Sequence, residues 1–420
     1  MRGPVARDLP ESDDMPALHD VPTLIVHPAF VAAQDHLAAT HDRFVEEIVR
    51  LTEIPAPPFQ EARRAEAMRA AFAAHGLQAV EIDAEGNVTG LRPGRDGPGR
   101  PLVCVAAHLD TVFPEGTDVT VRREGTKLFA PGVGDDTRGL AALLAFLRAL
   151  EAGGIETGAD LLFVADVGEE GKGDLRGMRH LFTKGRYAGR IGAFFTIDGI
   201  DTGDLTTGAV GSRRLRITFR GPGGHAMLAF GTVNPAHVLA EVVAGLARIV
   251  PPEGPLTTFC ASLIGGGHAI NAIPDQVWLE LDLRSESPEA LAGLEARVQA
   301  LVAAALALEN GRGRGEVTAQ TEVLGDRPAG ATDPSAPIVT ASRAAIRAFG
   351  FDPVTGPSST DANIPMSLGI PAVKFGSGGA GGRAHSLDEW IDVAPELSVR
   401  GLAAALAAIL GTAGLVVDDA

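Results

Sequence analysis

Continuous apolar runs of strand length alternate with helical patterns in the first half of the chain. The clearest runs lie at 102–107, 161–164 and 193–197. Because these runs contain almost no polar residue, they predict strands that are covered on both faces. Apolar residues at helical spacing predict helices at 44–51, 61–75 and 138–150. Strands that alternate with helices indicate an α/β sheet with helices on its faces.

The pattern changes after Gly211. The segments 215–220 and 277–283 alternate apolar and polar residues with a period of two, which predicts half-exposed strands. A further strand near 259–263 and helices at 234–249 and 288–307 complete this region. Two helices on one face of an antiparallel sheet make a small α+β domain. The α/β character then returns with a helix at 337–349, a strand at 371–375 and a helix at 395–410.

The chain is therefore expected to be an α/β protein whose large domain is interrupted by a smaller one. A length of 420 residues exceeds one ordinary core and supports two domains. We predict a first catalytic part at 1–211, an inserted domain at 212–325 and a second catalytic part at 326–420. Residues 1–35 are interpreted as an N-terminal extension, because they are polar at first and only later apolar.

Charge and cysteine content narrow the possible partners and the compartment. The chain has 36 basic and 53 acidic residues, which argues against nucleic acid or an anionic membrane as a partner. Of the two cysteines, Cys104 lies within an apolar run and is expected to be an inert buried thiol. No disulfide framework is expected. The N-terminal segment lacks the apolar stretch of a signal peptide, so a soluble, cytoplasmic protein is expected.

Imidazole and carboxylate side chains follow the predicted strands or lie in glycine-rich turns. They are His108, Asp110, Asp135, the pair Glu169 and Glu170, Asp198 and His385. Strand ends and loops are where a rigid scaffold presents reactive groups. Two histidines with several carboxylates are ligands that suit zinc or a similar divalent ion.

Each of these signals also has a simpler explanation when it is taken alone. His108 could be a loop histidine near an unrelated aspartate, and Asp136 could cap the following helix. Adjacent glutamates are usually solvated surface charge. The glycine-rich stretch 376–382 before His385 could be a flexible loop, and it lacks the glycine spacing of a nucleotide-binding fingerprint.

Taken in order along the chain, the motifs resemble one known family. It is the co-catalytic zinc metallopeptidase family that contains peptidase T, carboxypeptidase G, aminoacylase, acetylornithine deacetylase and succinyl-diaminopimelate desuccinylase. The resemblance spans about residues 40–410. It rests on the segments 107–111, 134–136, 168–171, 223–225, 271–274 and 384–386. It implies a three-layer zinc-peptidase-like catalytic domain with an inserted ferredoxin-like domain that serves as lid and dimerisation domain.

The resemblance also implies a role for each residue of the set. His108 and Asp198 would bind one zinc ion, Glu170 and His385 the other, and Asp135 would bridge them. Asp110 would orient His108, and Glu169 would be the general base that moves a proton from water to the leaving amine. The family pattern also implies a cis peptide bond between Asp135 and Asp136. Cobalt or manganese could replace zinc in such a donor set.

Three residues of the inserted domain are assigned through the same resemblance. His225 would reach the active site of the partner subunit in a homodimer and help to stabilise the oxyanion. Asn271 and Arg284 match positions associated with polar groups of the substrate. Arg284 could equally pair with Asp282 or Glu286.

Two departures from the family pattern affect specificity and leave the ligand set intact. Many relatives have lysine where this chain has Thr137, and many have glutamate where it has Asp198. Aspartate at the latter position is a feature of peptidase T-like members. The leading hypothesis is therefore a di-zinc hydrolase of amide bonds, acting as a peptidase T-like aminopeptidase on short peptides. An N-acyl-amino-acid deacylase of the acetylornithine deacetylase or desuccinylase type is the nearest alternative, and a non-catalytic relative is a third.

Overall fold

The computed structural model describes residues 20–416 and divides the chain into two units. The larger unit contains the chain up to Gly208 and again from Ala331 onward, and the smaller unit is Ala209–Gly330. The predicted boundaries, after residues 211 and 325, lie three and five residues from these positions. The shift at the second boundary arises because a polar strand continues to Arg327.

Between residues 20 and 209, the structure has six α-helices and eight β-strands. The helices are α1 (Val21–Ile25), α2 (Pro28–Ala39), α3 (His41–Thr52), α4 (Ala62–Ala74), α5 (Thr137–Ala152) and α6 (Arg176–Thr183). The strands are β1 (Gln78–Ile82), β2 (Val88–Arg92), β3 (Leu102–His108), β4 (Arg122–Glu124), β5 (Lys127–Phe129), β6 (Leu161–Asp166), β7 (Ile191–Ile197) and β8 (Asp204–Ala209).

The smaller unit has the ferredoxin-like βαββαβ order. Its elements are β9 (Gly211–Arg220), β10 (Gly224–His225), α7 (Pro235–Leu246), β11 (Thr257–Gly266), β12 (Ala272–Ile273), β13 (Gln276–Ser285), α8 (Pro288–Arg312) and β14 (Thr318–Arg327). The four long strands form an antiparallel sheet in the order β11-β13-β9-β14. The two helices share one hydrophobic core with this sheet, as the period-two pattern predicted. The short strands β10 and β12 form a separate two-stranded ribbon.

The chain then returns to the larger unit and completes its main sheet. The remaining elements are β15 (Gly330–Ala331), α9 (Pro337–Ala348), β16 (Val354–Ser358), α10 (Asn363–Ser367), β17 (Ala372–Phe375), β18 (Ala380–Gly382), β19 (Trp390–Asp392) and α11 (Pro395–Ala413). The main sheet has the order β1-β2-β6-β3-β7-β17-β8-β15, and β16 pairs with β8. A second sheet of the larger unit has the order β18-β19-β5-β4.

The middle of the main sheet sets the position of the predicted site. Strands β6, β3, β7 and β17 are parallel to one another. Every residue of β3 and β6 is buried, as expected for a layer that is covered on both faces. Parallel strands bring their carboxyl ends to the same edge, so the residues that follow β3, β6 and β7 converge there.

The expected N-terminal extension is part of this unit from residue 21 onward. Helices α1 and α2 lie there, and α2 packs against α5 and α11. The side chains of Phe30, Ala33 and Leu37 are buried at helical spacing. Helices of the segment interpreted as an N-terminal extension thus pack onto the larger unit, because a narrow apolar stripe is enough to dock a short helix. Residues 1–19 lie outside the described range.

Within residues 20–416, two helices, α8 and α11, are long and apolar enough to cross a membrane by length and composition alone. In α11, 78% of the apolar window is buried within the larger unit. In α8, the buried side chains belong to the core shared with the sheet of the smaller unit. Both helices therefore have a packing role in the folded units.

Candidate metal centre

Four of the predicted metal ligands meet at the carboxyl edge of the main sheet. His108 Nε2 lies 2.9 Å from Asp135 Oδ1. His385 Nε2 lies 3.0 Å from Glu170 Oε1 and 3.1 Å from Asp135 Oδ2. The two oxygens of Asp135 thus face two different imidazoles, which is the arrangement that a bridging carboxylate requires.

Asp198 lies at the same edge, directly after β7. Its main-chain N–H donates to the carbonyl of Phe375 on β17 at 3.1 Å. Burial raises the pKa of the Asp198 carboxyl, and the negative charge of Asp135 raises it further. The two carboxylates therefore lie within electrostatic reach of each other.

Opposite charges dominate the electrostatics of this cluster. Burial alone would lower the pKa of His108, but Asp135 and Asp136 outweigh it and raise that pKa well above its ordinary value. Hydrogen bonds to Asp135 and Glu170 raise the pKa of His385 to about 11. Burial opposes ionisation of Asp135, yet the two imidazoles hold the pKa of its carboxyl below the usual range. Asp135 is thus held in its ionised form between the two imidazoles.

Asp110 orients His108 through its main chain and not through its carboxylate. The carbonyl oxygen of Asp110 lies 2.9 Å from His108 Nδ1, whereas the nearer carboxylate oxygen is 3.9 Å away. This contact leaves Nε2 to face Asp135. The Asp110 carboxylate instead accepts N–H bonds from Gly168, Glu169 and Glu170 at 2.8, 3.2 and 2.9 Å. Asp110 therefore positions both His108 and the loop that carries the two glutamates.

Asp136 supports His108 from the other side. The peptide bond between Asp135 and Asp136 is cis, as the family resemblance implied. Asp136 occupies the N-cap position of α5, but its side chain makes no capping bond. Its Oδ2 accepts the main-chain N–H of His108 at 3.1 Å instead. The simple capping explanation for this side chain was therefore wrong.

Glu169 lies next to Glu170 in the loop after β6. Both residues are largely buried, at 6% and 5% exposure, so they are not ordinary surface charge. The Asp110 carboxylate holds the main-chain N–H groups of both. Neighbouring side chains of an extended segment point in different directions, which allows one to bind a metal and the other to handle protons.

Arg64 is a buried cation beneath the site that the sequence did not reveal. Its guanidinium donates to the carbonyls of Leu109 and Ile54, each at 2.7 Å. Burial lowers the pKa of Arg64 to about 10, while the charges of Asp110 and Asp136 oppose the shift. Arg64 thus fixes the turn between His108 and Asp110. Its hydrogen-bond acceptors are main-chain carbonyls, which any residue supplies, so the sequence gives no sign of this role.

Thr137, where many relatives have lysine, has a structural role in this chain. Its hydroxyl donates to the carbonyl of Gly132 at 2.6 Å and lies 2.7 Å from the hydroxyl of Thr52. The side chain is fully buried. The Thr137 side chain therefore holds the turn before Asp135 in place.

The smaller unit brings two of its three predicted residues together. His225 on β10 lies opposite Ala272 on β12, and the N–H of Ala226 donates to the carbonyl of Asn271 at 2.9 Å. Arg284 lies on β13, where its Nε donates to Asp282 at 2.8 Å. The pairing with Asp282 that the sequence left open is thus present.

The donor set fits a divalent transition metal. Ligand atoms of His108, Asp135 and Glu170 lie within 4.8 Å of one another, and His385 contacts two of these residues. Imidazole nitrogen and carboxylate oxygen are the usual donors for zinc in catalytic sites. In addition, the main-chain contacts of Asp110, Asp136 and Arg64 fix the ligand-bearing segments before any ion binds.

A cleft of about 880 Å³ lies within the larger unit, and none of the proposed metal ligands lines it. Its walls come from the segments around β4, β5 and β19, and they include Arg122, Phe129, Arg383, Leu387 and Trp390. The cleft combines aromatic and charged groups, and its lining residues Arg383 and Leu387 flank His385 in the sequence. It has room for a small organic substrate.

Comparisons with known proteins agree with this geometry. The model of peptidase family M20/M25/M40 matches residues 104–411. A succinyl-diaminopimelate desuccinylase of Corynebacterium glutamicum is 28% identical over 354 residues, covering 81% of this chain and 89% of that protein. The structure is also similar to that of aminopeptidase PepT from Bacillus cereus, with a TM-score of 0.72, 20% identity and coverage of 88% and 98%.

A second solved structure is that of the Bacillus subtilis YXEP protein, described as a dinuclear metal binding peptidase from the M20 family. It has a TM-score of 0.67 and 18% identity, covering 89% of this chain and 99% of that one. At these identities the structural likeness shows the fold. The family match, however, spans most of the chain and contains His108, Asp135, Glu170 and His385. The chain therefore belongs to peptidase family M20/M25/M40 and is a metallohydrolase of that family.

Proposed function

We propose that the protein hydrolyses an amide bond of a short peptide at a two-metal centre, in the manner of a peptidase T-like aminopeptidase. The observation that carries this proposal is the placement of Asp135 between two imidazoles, His108 and His385, with Glu170 beside the second. The proposed ligands are His108 and Asp198 for one ion and Glu170 and His385 for the other, with Asp135 shared. Zinc is the proposed metal, and cobalt or manganese would suit the same donors.

The proposed mechanism assigns separate tasks to neighbouring groups. When bound, the two ions would acidify a water molecule and polarise the scissile carbonyl. A carboxylate oxygen of Glu169 takes the proton from the attacking water as the carbon–oxygen bond forms. The same oxygen then gives that proton to the amine nitrogen as the carbon–nitrogen bond breaks. Asp110 holds the main chain of Glu169 in place during both transfers.

A deacylase acting on an N-acyl amino acid is the second candidate. It is favoured by the sequence relative from Corynebacterium glutamicum, which is named as a succinyl-diaminopimelate desuccinylase. The bond that breaks is an amide in both cases, so the catalytic residues serve either substrate. The difference lies in the groups that flank this bond.

Paired substrates separate these two candidates. We expect the metal-loaded protein to release amino acids from di- and tripeptides at least about tenfold more efficiently, in kcat/KM, than from N-acetyl or N-succinyl amino acids with the same residue. A tenfold ratio corresponds to a difference of about 1.4 kcal/mol in transition-state binding. Blocking the peptide's amino terminus is the matched control, since an aminopeptidase needs that group free. A preference for the acylated substrates would contradict the peptidase proposal and favour the deacylase function.

We further propose that the protein is a cytoplasmic homodimer in which His225 acts in the partner's active site. Exposed apolar side chains close in sequence to His225 and Asn271 support the dimer, because such a patch is typical of a protein–protein interface. They are each at least 73% exposed: Met227, Leu228, Phe230 and Ile270. His225 Nδ1 accepts N–H bonds from Met227 and Leu228, which leaves Nε2 to donate to a developing oxyanion.

Mixing two inactive variants tests this arrangement. Glu169→Gln and His225→Ala are each expected to be nearly inactive alone. Unfolding and refolding them together should restore about a quarter of the native activity, because one site of each mixed dimer combines an intact Glu169 with an intact His225. Activity that stays at the level of the separate variants, or a monomeric mass in solution, would contradict the proposal.

A further inference from the structure

Glu389 is a buried carboxylate that no proposed catalytic step uses, at 2% exposure. Its Oε1 accepts main-chain N–H bonds from Gly134 at 2.8 Å and Asp135 at 2.9 Å. Its Oε2 accepts another from Gly132 at 2.8 Å. A single carboxylate thus binds three N–H groups of the turn that carries Asp135. Burial raises the pKa of the Glu389 carboxyl to about 7, and the three N–H bonds oppose this shift because they favour the ionised form.

Strand pairing brings Glu389 to this turn. β19 begins directly after Glu389, and its Trp390 pairs with Phe129 of β5. The N–H of Ala130 donates to the carbonyl of Glu389 at 3.1 Å. The register of the small sheet therefore places the carboxylate beside the segment that follows β5.

The turn is shaped to receive this carboxylate. A β-carbon added at Gly134 would lie 3.1 Å from Glu389 Oε1 and 2.9 Å from a methyl carbon of Ile391. A side chain at position 134 would therefore push the turn away from Glu389. Glycine allows the main chain to approach closely enough for the hydrogen bonds.

The other end of Glu389 belongs to the segment that carries His385. The N–H of Glu389 donates to the carbonyl of Ser386, and the N–H of Ser386 donates to that of Arg383, both at 3.1 Å. These bonds close two consecutive turns between Arg383 and Glu389. The residue therefore joins the His385 segment to the Asp135 turn.

We propose that Glu389 is a positioning residue that couples the two halves of the metal centre. This inference rests on the proposed two-metal site. Glu389 holds Asp135 and His385 in one rigid arrangement. It therefore sets the distance between these two proposed ligands of the second ion. Without its carboxylate, the N–H groups of Gly132, Gly134 and Asp135 lose this acceptor, and the second ion binds more weakly.

Zinc affinity of the full-length, metal-stripped protein tests this inference. We expect Glu389→Gln to weaken binding of one zinc ion by about 10- to 100-fold, the usual effect of removing a partner that orients a ligand. The amide keeps the shape of the side chain, but its NH₂ group cannot accept the N–H bond of Gly132. Competition with a chromophoric chelator measures both binding steps. Saturating zinc is expected to restore most of kcat with an unchanged KM, because the ligands and Glu169 are intact.

Asp388→Asn is the matched control. Asp388 is the adjacent residue, carries the same charge, is exposed and pairs with Arg383 at 3.1 Å. Its substitution should leave both zinc affinities within about twofold of the native values, since surface ion pairs contribute little. A purely long-range charge effect would weaken zinc binding in both variants.

The possible outcomes are distinct. Native zinc affinities in a folded Glu389→Gln protein would overturn the inference, as would activity that excess zinc does not restore. A variant that fails to fold even with excess zinc would also overturn it, because Glu389 would then have a structural role only. If the native protein itself bound no zinc, the proposed function would fail first.

Discussion

Replacing Glu169 by glutamine is expected to lower kcat by about 10²- to 10⁴-fold, the contribution of a well-placed general base. Glutamine has nearly the same size but cannot accept the proton of the attacking water. The side chain lies in a buried loop whose main chain is fixed by Asp110, so no solvent-exposed base can easily replace it. Steady-state hydrolysis of a short peptide, with metal content measured on the same sample, checks this expectation.

The metal content is the decisive second readout in that experiment. Glu170 is the proposed ligand and Glu169 is not, so Glu169→Gln should bind the native amount of metal. Glu115→Gln is a suitable control, because Glu115 is exposed in the loop after β3 and its carboxylate accepts a hydrogen bond from the Gln60 side chain, away from the metal ligands. Native activity in Glu169→Gln, or loss of the ions from it, would contradict the assigned division of labour.

Removing the metal is expected to abolish hydrolysis, by a thousandfold or more. Metal ions contribute several kcal/mol of transition-state stabilisation, and each ~1.4 kcal/mol corresponds to a tenfold change in rate. Dialysis against a chelator followed by assay in metal-free buffer provides the measurement. Adding back zinc, cobalt or manganese should restore activity, whereas magnesium should not, since it binds imidazole poorly.

The fate of the stripped protein in solution provides the control for this prediction. The main-chain contacts of Arg64, Asp110 and Glu389 involve no metal, so the folded state is expected to survive metal removal. Far-ultraviolet circular dichroism of stripped and reloaded samples should therefore coincide. Activity that persists in the stripped protein would show that hydrolysis does not depend on metal.

Sequence alone predicted the buried parts of the fold well. Strand β3 was expected at 102–107 and lies at Leu102–His108, because a strand covered on both faces must be apolar throughout. Strand β14 was missed, since Thr318–Arg327 is a polar edge strand with mostly exposed side chains. Edge strands are held by main-chain hydrogen bonds, and these require no particular sequence.

The same physical difference separates the predicted from the unpredicted parts of the site. His108 and His385 could be named because metal ligands are a narrow set of side chains that follow strands or glycine-rich turns. Arg64 and Glu389 could not, because their partners are main-chain carbonyls and N–H groups that any residue supplies. For Asp110, the sequence indicated support of His108, but only the structure shows that its main-chain carbonyl provides it.

Anomalous X-ray diffraction from crystals of the zinc-loaded protein tests the central claim most directly. Two anomalous peaks about 3.5–4 Å apart are predicted, one on each side of the Asp135 carboxylate. His108 and Asp198 should contact one peak, and Glu170 and His385 the other. A single peak, no peak, or peaks bound by other residues would contradict the two-metal centre on which this account of the protein rests.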